Sequence, residues 1–274
     1  MKSNFLMGLI AMSFLFVMSC EKSTDNTSNA IEADATLNDA TVTTTESLDA
    51  LADLESLENE LVETRSNPTC PTITSTAPKG TFPNVVTIDF GAGCTTTSGR
   101  YHSGKIVIEQ SDSMIHNGAV RKTTFIDFGI DSLRMKNGTV TLTNNGTDAA
   151  GNKKVTRKVS NMIINAPKGE ITLNSTHTRT QIKGGNTSEK SDDVWKIQGE
   201  STGITMTDKV VYSAIITEGL IKKEDCPFIV SGKETFTRKG HTTIVDYGDG
   251  VCDRFATVLL ENGNKIIITL KPRY

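Results

Sequence analysis

The chain has 274 residues, of which 36% are hydrophobic, 5% are aromatic and 22 are glycine. This length fits one or two domains, and the composition excludes collagen, coiled coils and proteins with several membrane spans. The formal net charge is −3, but it is unevenly distributed. Residues 21–66 hold 12 acidic and two basic residues, whereas residues 67–274 hold 26 basic and 20 acidic residues. That basic excess is too small to indicate a nucleic-acid partner.

The chain begins with a sequence typical of an export signal. Lys2 precedes an apolar run over residues 5–18, which is long enough for a secretory signal and too short to span a bilayer. The run ends in Val17-Met18-Ser19-Cys20, which resembles the lipobox of bacterial lipoproteins. We therefore predict a signal peptide over residues 1–19 and a diacylglycerol on the Cys20 thiol, so that the protein is anchored in a membrane. The expected location is the cell envelope, at the outer membrane, on either its periplasmic or its surface face.

Two N-terminal segments follow the anchor. Residues 20–42 are acidic and poor in bulky apolar side chains, which predicts a flexible tether. Residues 43–66 carry leucines at steps of three and four, which predicts an amphipathic helix. Thr43 and Glu46 fit a capping box at its start, and Asn67-Pro68 fits its end. We expect the leucine stripe to cover part of the following domain, with contact to a partner helix as the alternative.

Residues 67–274 have the pattern of an antiparallel β domain. Short segments rich in Thr, Val and Ile alternate with closely spaced turn signals, which are Lys79-Gly80, Asn117-Gly118, Asn137-Gly138, Asn145-Gly146, Gly151-Asn152, Lys168-Gly169, Gly184-Gly185, Lys239-Gly240 and Asn262-Gly263. Connections this short leave no room for crossover helices. The sequence therefore predicts a mainly β fold, a meander of about a dozen strands with one N-terminal amphipathic helix. A large curved sheet, a sandwich and a half barrel all remain open.

An internal repeat brackets this domain. Each copy opens with Cys-Pro and reaches an aspartate, an aromatic residue and a glycine-rich stretch before a second cysteine. An arginine and a strand rich in isoleucine and valine follow. The two units span residues 70–108 and 226–268, and a fragment without cysteines recurs at Ile126-Asp127-Phe128-Gly129.

The repeat indicates two disulfide bonds. With Cys20 assigned to lipid, four cysteines remain, and three pairings are available to them. The midpoint between Cys226 and Cys252 falls on the Lys239-Gly240 turn, and the midpoint between Cys70 and Cys94 falls in the turn-like residues 77–84. Hairpins there place each pair of thiols nearly opposite one another, so we predict the bridges Cys70–Cys94 and Cys226–Cys252, as suits an oxidising compartment. Pairing between equivalent cysteines of the two copies is the alternative.

These motifs resemble a group of uncharacterised β-rich lipoproteins of Bacteroidota-type bacteria. The resemblance rests on the lipobox, the Cys-Pro strand, the Asp-Phe/Tyr-Gly-x-Gly-Cys turn and the closing strand, and it covers most of the chain after residue 66. It implies an envelope location and a β fold. It implies no activity and no catalytic residue.

The sequence shows no convincing catalytic or metal site. It has no Gly-x-Ser-x-Gly elbow and no Cys-x-x-Cys pair, and its cysteines are explained by bridges. Four histidines, which are His102, His116, His177 and His241, lie near turns or in polar strands and are expected on the surface. Asp246, Asp249 and Asp253 resemble a calcium loop only faintly, and we interpret them as a glycine-containing turn or bulge. No cofactor and no metal are predicted.

From these features we predict a lipid-anchored envelope protein with a non-catalytic binding or structural role. Its expected partners, besides the membrane, are another envelope protein or a glycan. One alternative is a carrier that holds a lipidic ligand in a half barrel under a helical lid. A second alternative is a hydrolase whose site has no recognisable motif.

Overall fold

The computed structural model of the chain describes residues 70–96, 99–167, 169–204 and 209–270. They form 14 strands and one short 3-10 helix, Lys190–Asp192. The strands are β1 (Thr72–Ser75), β2 (Asn84–Asp89), β3 (Cys94–Thr95), β4 (Tyr101–Gln110), β5 (Val120–Ile130), β6 (Leu133–Thr147), β7 (Lys153–Ala166), β8 (Gly169–Lys183), β9 (Val194–Ile204), β10 (Val211–Lys223), β11 (Ile229–Arg238), β12 (His241–Asp249), β13 (Phe255–Leu259) and β14 (Lys265–Thr269). The predicted signal peptide, the Cys20 anchor, the tether and the amphipathic helix over residues 43–66 lie outside these ranges.

All 14 strands belong to one open antiparallel sheet. Apart from β3, which pairs only with β4, each strand lies beside its neighbours in the chain, from β1 at one edge to β14 at the other. The prediction of a mainly β fold built as an antiparallel meander is therefore confirmed. Within the described ranges, no helix is long and apolar enough to cross a membrane.

The turn signals have two different outcomes. Lys239-Gly240 forms the predicted two-residue turn: Arg238 pairs with His241, and both turn residues have positive φ angles, as a type I′ hairpin requires. Asn137-Gly138, in contrast, lies inside β6, where the pairing with β7 shifts on both sides of Asn137. Asn145-Gly146 also lies inside β6. At these two positions the prediction of a turn was wrong. A glycine with a positive φ can also form an irregularity inside a strand, where the chain does not reverse its direction.

Buried and more exposed side chains alternate along the strands. The sheet therefore has a buried face, which we call the inner face, and a polar face. The inner face carries two apolar clusters. The first lies on β2 and β4 to β8 and includes Ile88, Ile106 and Met162, all fully buried. The second lies on β10 to β13 and includes Val258. Burial of so many aliphatic side chains on one face is the main stabilisation of the sheet.

Both predicted disulfides are confirmed. Cys70–Cys94 and Cys226–Cys252 close the hairpins β1–β2 and β11–β12, with Cα atoms 6.2 and 5.8 Å apart. The hairpins are also alike in detail. Asp89 accepts a hydrogen bond from the Gly91 N–H at 2.8 Å, and Asp246 accepts one from the Gly248 N–H at 3.0 Å.

The two copies diverge after the second cysteine. In the first copy, β4 returns directly beside β2, and Lys105 pairs with Asp89. In the second copy, β13 takes that place, and Thr257 pairs with Asp246. The segment over residues 265–268, which matches residues 105–108 in sequence, instead forms the edge strand β14 beside β13. The two copies therefore share the structure of their bridged hairpins, but they differ in the position of their last strand.

Candidate binding groove

A groove on the polar face, above β7, β8 and β9, is a candidate site for ligand binding. Period-2 alternation makes these strands bury Val159 and Ser175 on the inner face and direct the residues between them outward. Pairing then aligns the outward side chains in three rows across the strands, which are Lys154–Thr180–Lys196, Thr156–Thr178–Gln198 and Lys158–Thr176–Glu200.

A bulge in β10 opens one side of the groove. Glu200 of β9 pairs with Ile215 of β10, and Ile197 of β9 pairs with Leu220 of β10. These two pairs are three residues apart on β9 but five residues apart on β10. The surplus residues of β10 interrupt its pairing with β9 beside Gln198 and Gly199, and both of these residues line the groove. A larger residue does not fit at Gly199, because its φ is +140° and a Cβ would collide with the carbonyl oxygen of Thr176.

The groove has a volume of about 800 Å³ and opens to solvent. Its lining combines hydroxyls, an amide, charges of both signs and two isoleucines. The lining residues are Asp148, Lys154, Thr176, Thr178, Thr180, Ile182, Lys196, Gln198, Gly199, Glu200 and Ile216. This volume lies within the range of small-molecule sites.

Hydrogen bonds fix part of the lining. The hydroxyl groups of Thr156 and Thr178 lie 2.9 Å apart across β7 and β8. Asp148 Oδ1 accepts the N–H groups of Ala150 and Asn152, each at 2.9 Å, and Oδ2 accepts the Asn152 side-chain amide at 3.1 Å. These bonds, that of the Asn152 side chain first, hold the pKa of Asp148 below its ordinary value. Asp148 is therefore ionised at neutral pH, and its oxygens organise the β6–β7 turn.

The bridging cysteines do not line the groove. Their hairpins lie near the two ends of the sheet, and the groove lies above its central strands. The sequence alone did not single out the polar side chains of β7 to β9 as a site. The available signal was the alternation of threonines at positions 176, 178 and 180 together with Lys196, Gln198 and Glu200 on the next strand.

One histidine differs from expectation. His116 and His241 have side chains 58% and 77% exposed, as predicted. His102, however, is buried, with its ring stacked on Phe90 at 5.2 Å and on Phe128 at 6.1 Å. The surface prediction for His102 was wrong because the rings of Phe90 and Phe128, which lie on other parts of the sheet, pack against its imidazole. Burial lowers the pKa of His102, so the imidazole is neutral at neutral pH.

Two of the aspartates that follow β11, Asp246 and Asp253, accept hydrogen bonds from backbone N–H groups close to them in the chain. Asp246 accepts the Gly248 N–H, and Asp253 Oδ1 accepts the Phe255 N–H at 2.8 Å. Pairing between β11 and β12 shifts between Asp246 and Asp249, so this segment is a bulge that contains Gly248. Across the described ranges, no three His, Cys, Asp or Glu side chains are placed to hold a metal ion.

Comparisons with known proteins add no relative. No protein-family model, no curated protein and no solved structure matches the chain.

Proposed function

We propose that the protein is a lipid-anchored protein of the cell envelope, at the outer membrane, that binds a glycan in the groove without catalysing a reaction. The location is supported by the signal sequence that ends in Ser19-Cys20 and by two disulfides, which are typical of exported proteins. The binding role is supported by the groove on the polar face.

The chemistry of the lining is the observation that carries the choice of ligand. Threonine hydroxyls at positions 176, 178 and 180 both donate and accept hydrogen bonds, as does the Gln198 side chain. A ligand that presents many hydroxyl groups needs this combination. No aromatic ring belongs to the lining that the structure describes, so hydrogen bonds must supply most of the selectivity. The groove is open to solvent, which suits a chain of sugar units that continues beyond it.

A binding role explains the groove better than hydrolysis does. Glycoside hydrolysis requires a carboxylic acid that gives up a proton and a second carboxylate on the other side of the bond. The groove contains Asp148 and Glu200. Asp148 is held in its ionised form by the turn, and its oxygens already accept three hydrogen bonds. It is therefore a poor proton donor.

We further infer that the sheet curves around its inner face. Ile88 and Ile106 are completely buried although both lie on the same face of a single sheet. A flat sheet leaves such side chains open to water on that face. Curvature brings the inner face against itself, and its packed clusters then serve as the core.

Binding to a panel of soluble polysaccharide fragments tests the proposed function. The panel contains neutral fragments of dextran, mannan and xylan and acidic fragments of polygalacturonate and phosphomannan. We expect at least one fragment to bind the full protein, measured by isothermal titration calorimetry, and to be recovered unshortened by mass spectrometry. Absence of binding to every fragment, or cleavage of a bound one, contradicts the proposal.

Replacement of the lipidated residue tests the location. We expect Cys20→Ala to release most of the protein from washed membranes, because the acyl chains on the thiol supply the attachment. The measurement is the fraction of protein in the membrane pellet, by immunoblot. Cys94→Ala, which removes a bridging thiol instead, is the matched control and leaves the protein in the pellet. Retention of the Cys20→Ala variant in the membrane would contradict the anchor.

A further inference from the structure

The first row of the groove contains two lysines on either side of a threonine. Lys154 on β7 pairs with Thr180 on β8, and Thr180 pairs with Lys196 on β9. All three line the groove. Because adjacent strands lie roughly 4.8 Å apart, the two lysine Cα atoms are about 10 Å apart. The ammonium group of Lys154 can therefore reach an anion above the Thr180 hydroxyl, and that of Lys196, whose stem lies beside β10, can reach it when the side chain turns toward β8.

The surroundings of Lys196 guide its side chain. A Cβ at Gly219 would collide with Cε of Lys196 and would lie 3.0 Å from its Cγ. The aliphatic stem of Lys196 therefore runs beside Gly219 of β10, in the irregular stretch between Ile215 and Leu220. The same bulge that opens the groove thus provides space for this lysine.

The groove lysines also differ from other lysines of the sheet in their ion pairs. Lys105, Lys122 and Lys233 each contact a carboxylate on a neighbouring strand, at 2.8, 3.2 and 2.9 Å. Within the described part of the chain, Lys154 and Lys196 have no carboxylate within 4.0 Å. The charge of the ionised Asp148 interacts with that of Lys154, but the two form no ion pair, so both ammonium groups remain available to a ligand.

The opposite end of the groove contains a second carboxylate. At that end, Glu200 of β9 pairs with Thr176 of β8. Glu200 is four residues along β9 from Lys196, so their Cα atoms are about 13 Å apart. The row between them is neutral and holds Thr178 and Gln198. Each end therefore carries charge of both signs: Asp148 lies near Lys154 at one end, and Lys158 shares the row of Glu200 at the other.

We propose that Lys154, Thr180 and Lys196 bind an anionic group, a carboxylate or a phosphate, carried by the glycan. The inference rests on the proposed function and narrows it to acidic glycans. The two ammonium groups donate charge-assisted hydrogen bonds to the anion, the Thr180 hydroxyl donates a third, and the sugar hydroxyls extend along the row of Thr178 and Gln198.

The test compares hexagalacturonate with its methyl ester, which keeps the sugar chain and removes the charge. We expect the acid to bind the full protein about tenfold more tightly than the ester at low salt, and the difference to shrink as salt is added. A phosphomannan fragment, compared with unphosphorylated mannan, shows which of the two anions is preferred.

Two variants and a matched control locate the effect. Lys154→Gln and Lys196→Gln are each expected to weaken binding of the preferred acidic fragment about fivefold to tenfold and to leave neutral fragments unaffected. Lys158→Gln, on the same face of β7 but outside the lining, is expected to change neither. Equal binding of charged and neutral fragments, or unchanged binding in both lysine variants, overturns the anion subsite and leaves the proposed function standing. Failure of every fragment to bind overturns both.

Discussion

Loss of the Cys226–Cys252 bridge in the variant Cys226→Ala/Cys252→Ala is expected to lower the free energy of unfolding by about 3.5 kcal/mol. The bridge closes a loop with a sequence separation of 26 residues. In the chain-entropy account, this closure restricts the unfolded chain far more than the folded hairpin. Urea unfolding followed by circular dichroism measures the change.

The first bridge provides an internal comparison. Cys70–Cys94 has a sequence separation of 24 residues, so its removal is expected to cost nearly the same, about 3.5 kcal/mol. Unfolding of the wild-type protein in a reducing agent controls for the loss of the sulfur atoms, since it opens the bridges without changing the side chains. A loss below about 1 kcal/mol in both variants would contradict the stabilising role of the bridges.

The second large effect is expected for Phe128→Ala, at about 3–5 kcal/mol of lost stability. Phe128 is fully buried in the first apolar cluster. Its ring centroid lies 5.9 Å from that of Phe90 and 5.8 Å from that of Phe125. Truncation removes these contacts and leaves a cavity among rigid rings. Urea unfolding again gives the magnitude.

Ile126→Ala is the matched control for this variant. Ile126 lies on the same strand, two residues earlier, but its side chain is 51% exposed. We expect its replacement to cost less than about 1 kcal/mol, because little apolar surface returns to water. Similar losses in the two variants would show that Phe128 does not belong to a tightly packed cluster.

The parts of the fold that could be predicted are those fixed by local chemistry. A two-residue Lys-Gly turn and two cysteines at nearly equal distances from it are enough to predict the hairpin β11–β12 and its bridge. The same local chemistry fails at Asn137-Gly138, since neighbouring strands decide between a turn and an irregularity inside a strand. The exposure of His102 was predicted wrongly for a related reason. The residues that cover its ring, such as Phe128, lie on other strands, so the pattern of its own strand does not reveal them.

The groove could not be predicted, because it depends on register. Thr180 is a groove residue only because β8 pairs with Lys154 on one side and Lys196 on the other. Its opening depends on the surplus residues of β10 between Ile215 and Leu220, and the sequence does not show how β10 pairs with β9 there. Single strands reveal which side chains alternate, and pairing decides which of them meet.

Methyl NMR of the protein with its tightest-binding polysaccharide fragment tests the central claim most directly. Threonine and isoleucine methyl groups report on the groove through Thr176, Thr178, Thr180 and Ile216, and on the far edge of the sheet through Ile267 and Thr269. We predict that the ligand shifts the signals of the groove methyl groups and leaves those of β14 in place. Shifts at β14 or in the buried clusters, with the groove signals unchanged, would contradict the assignment of the groove as the binding site.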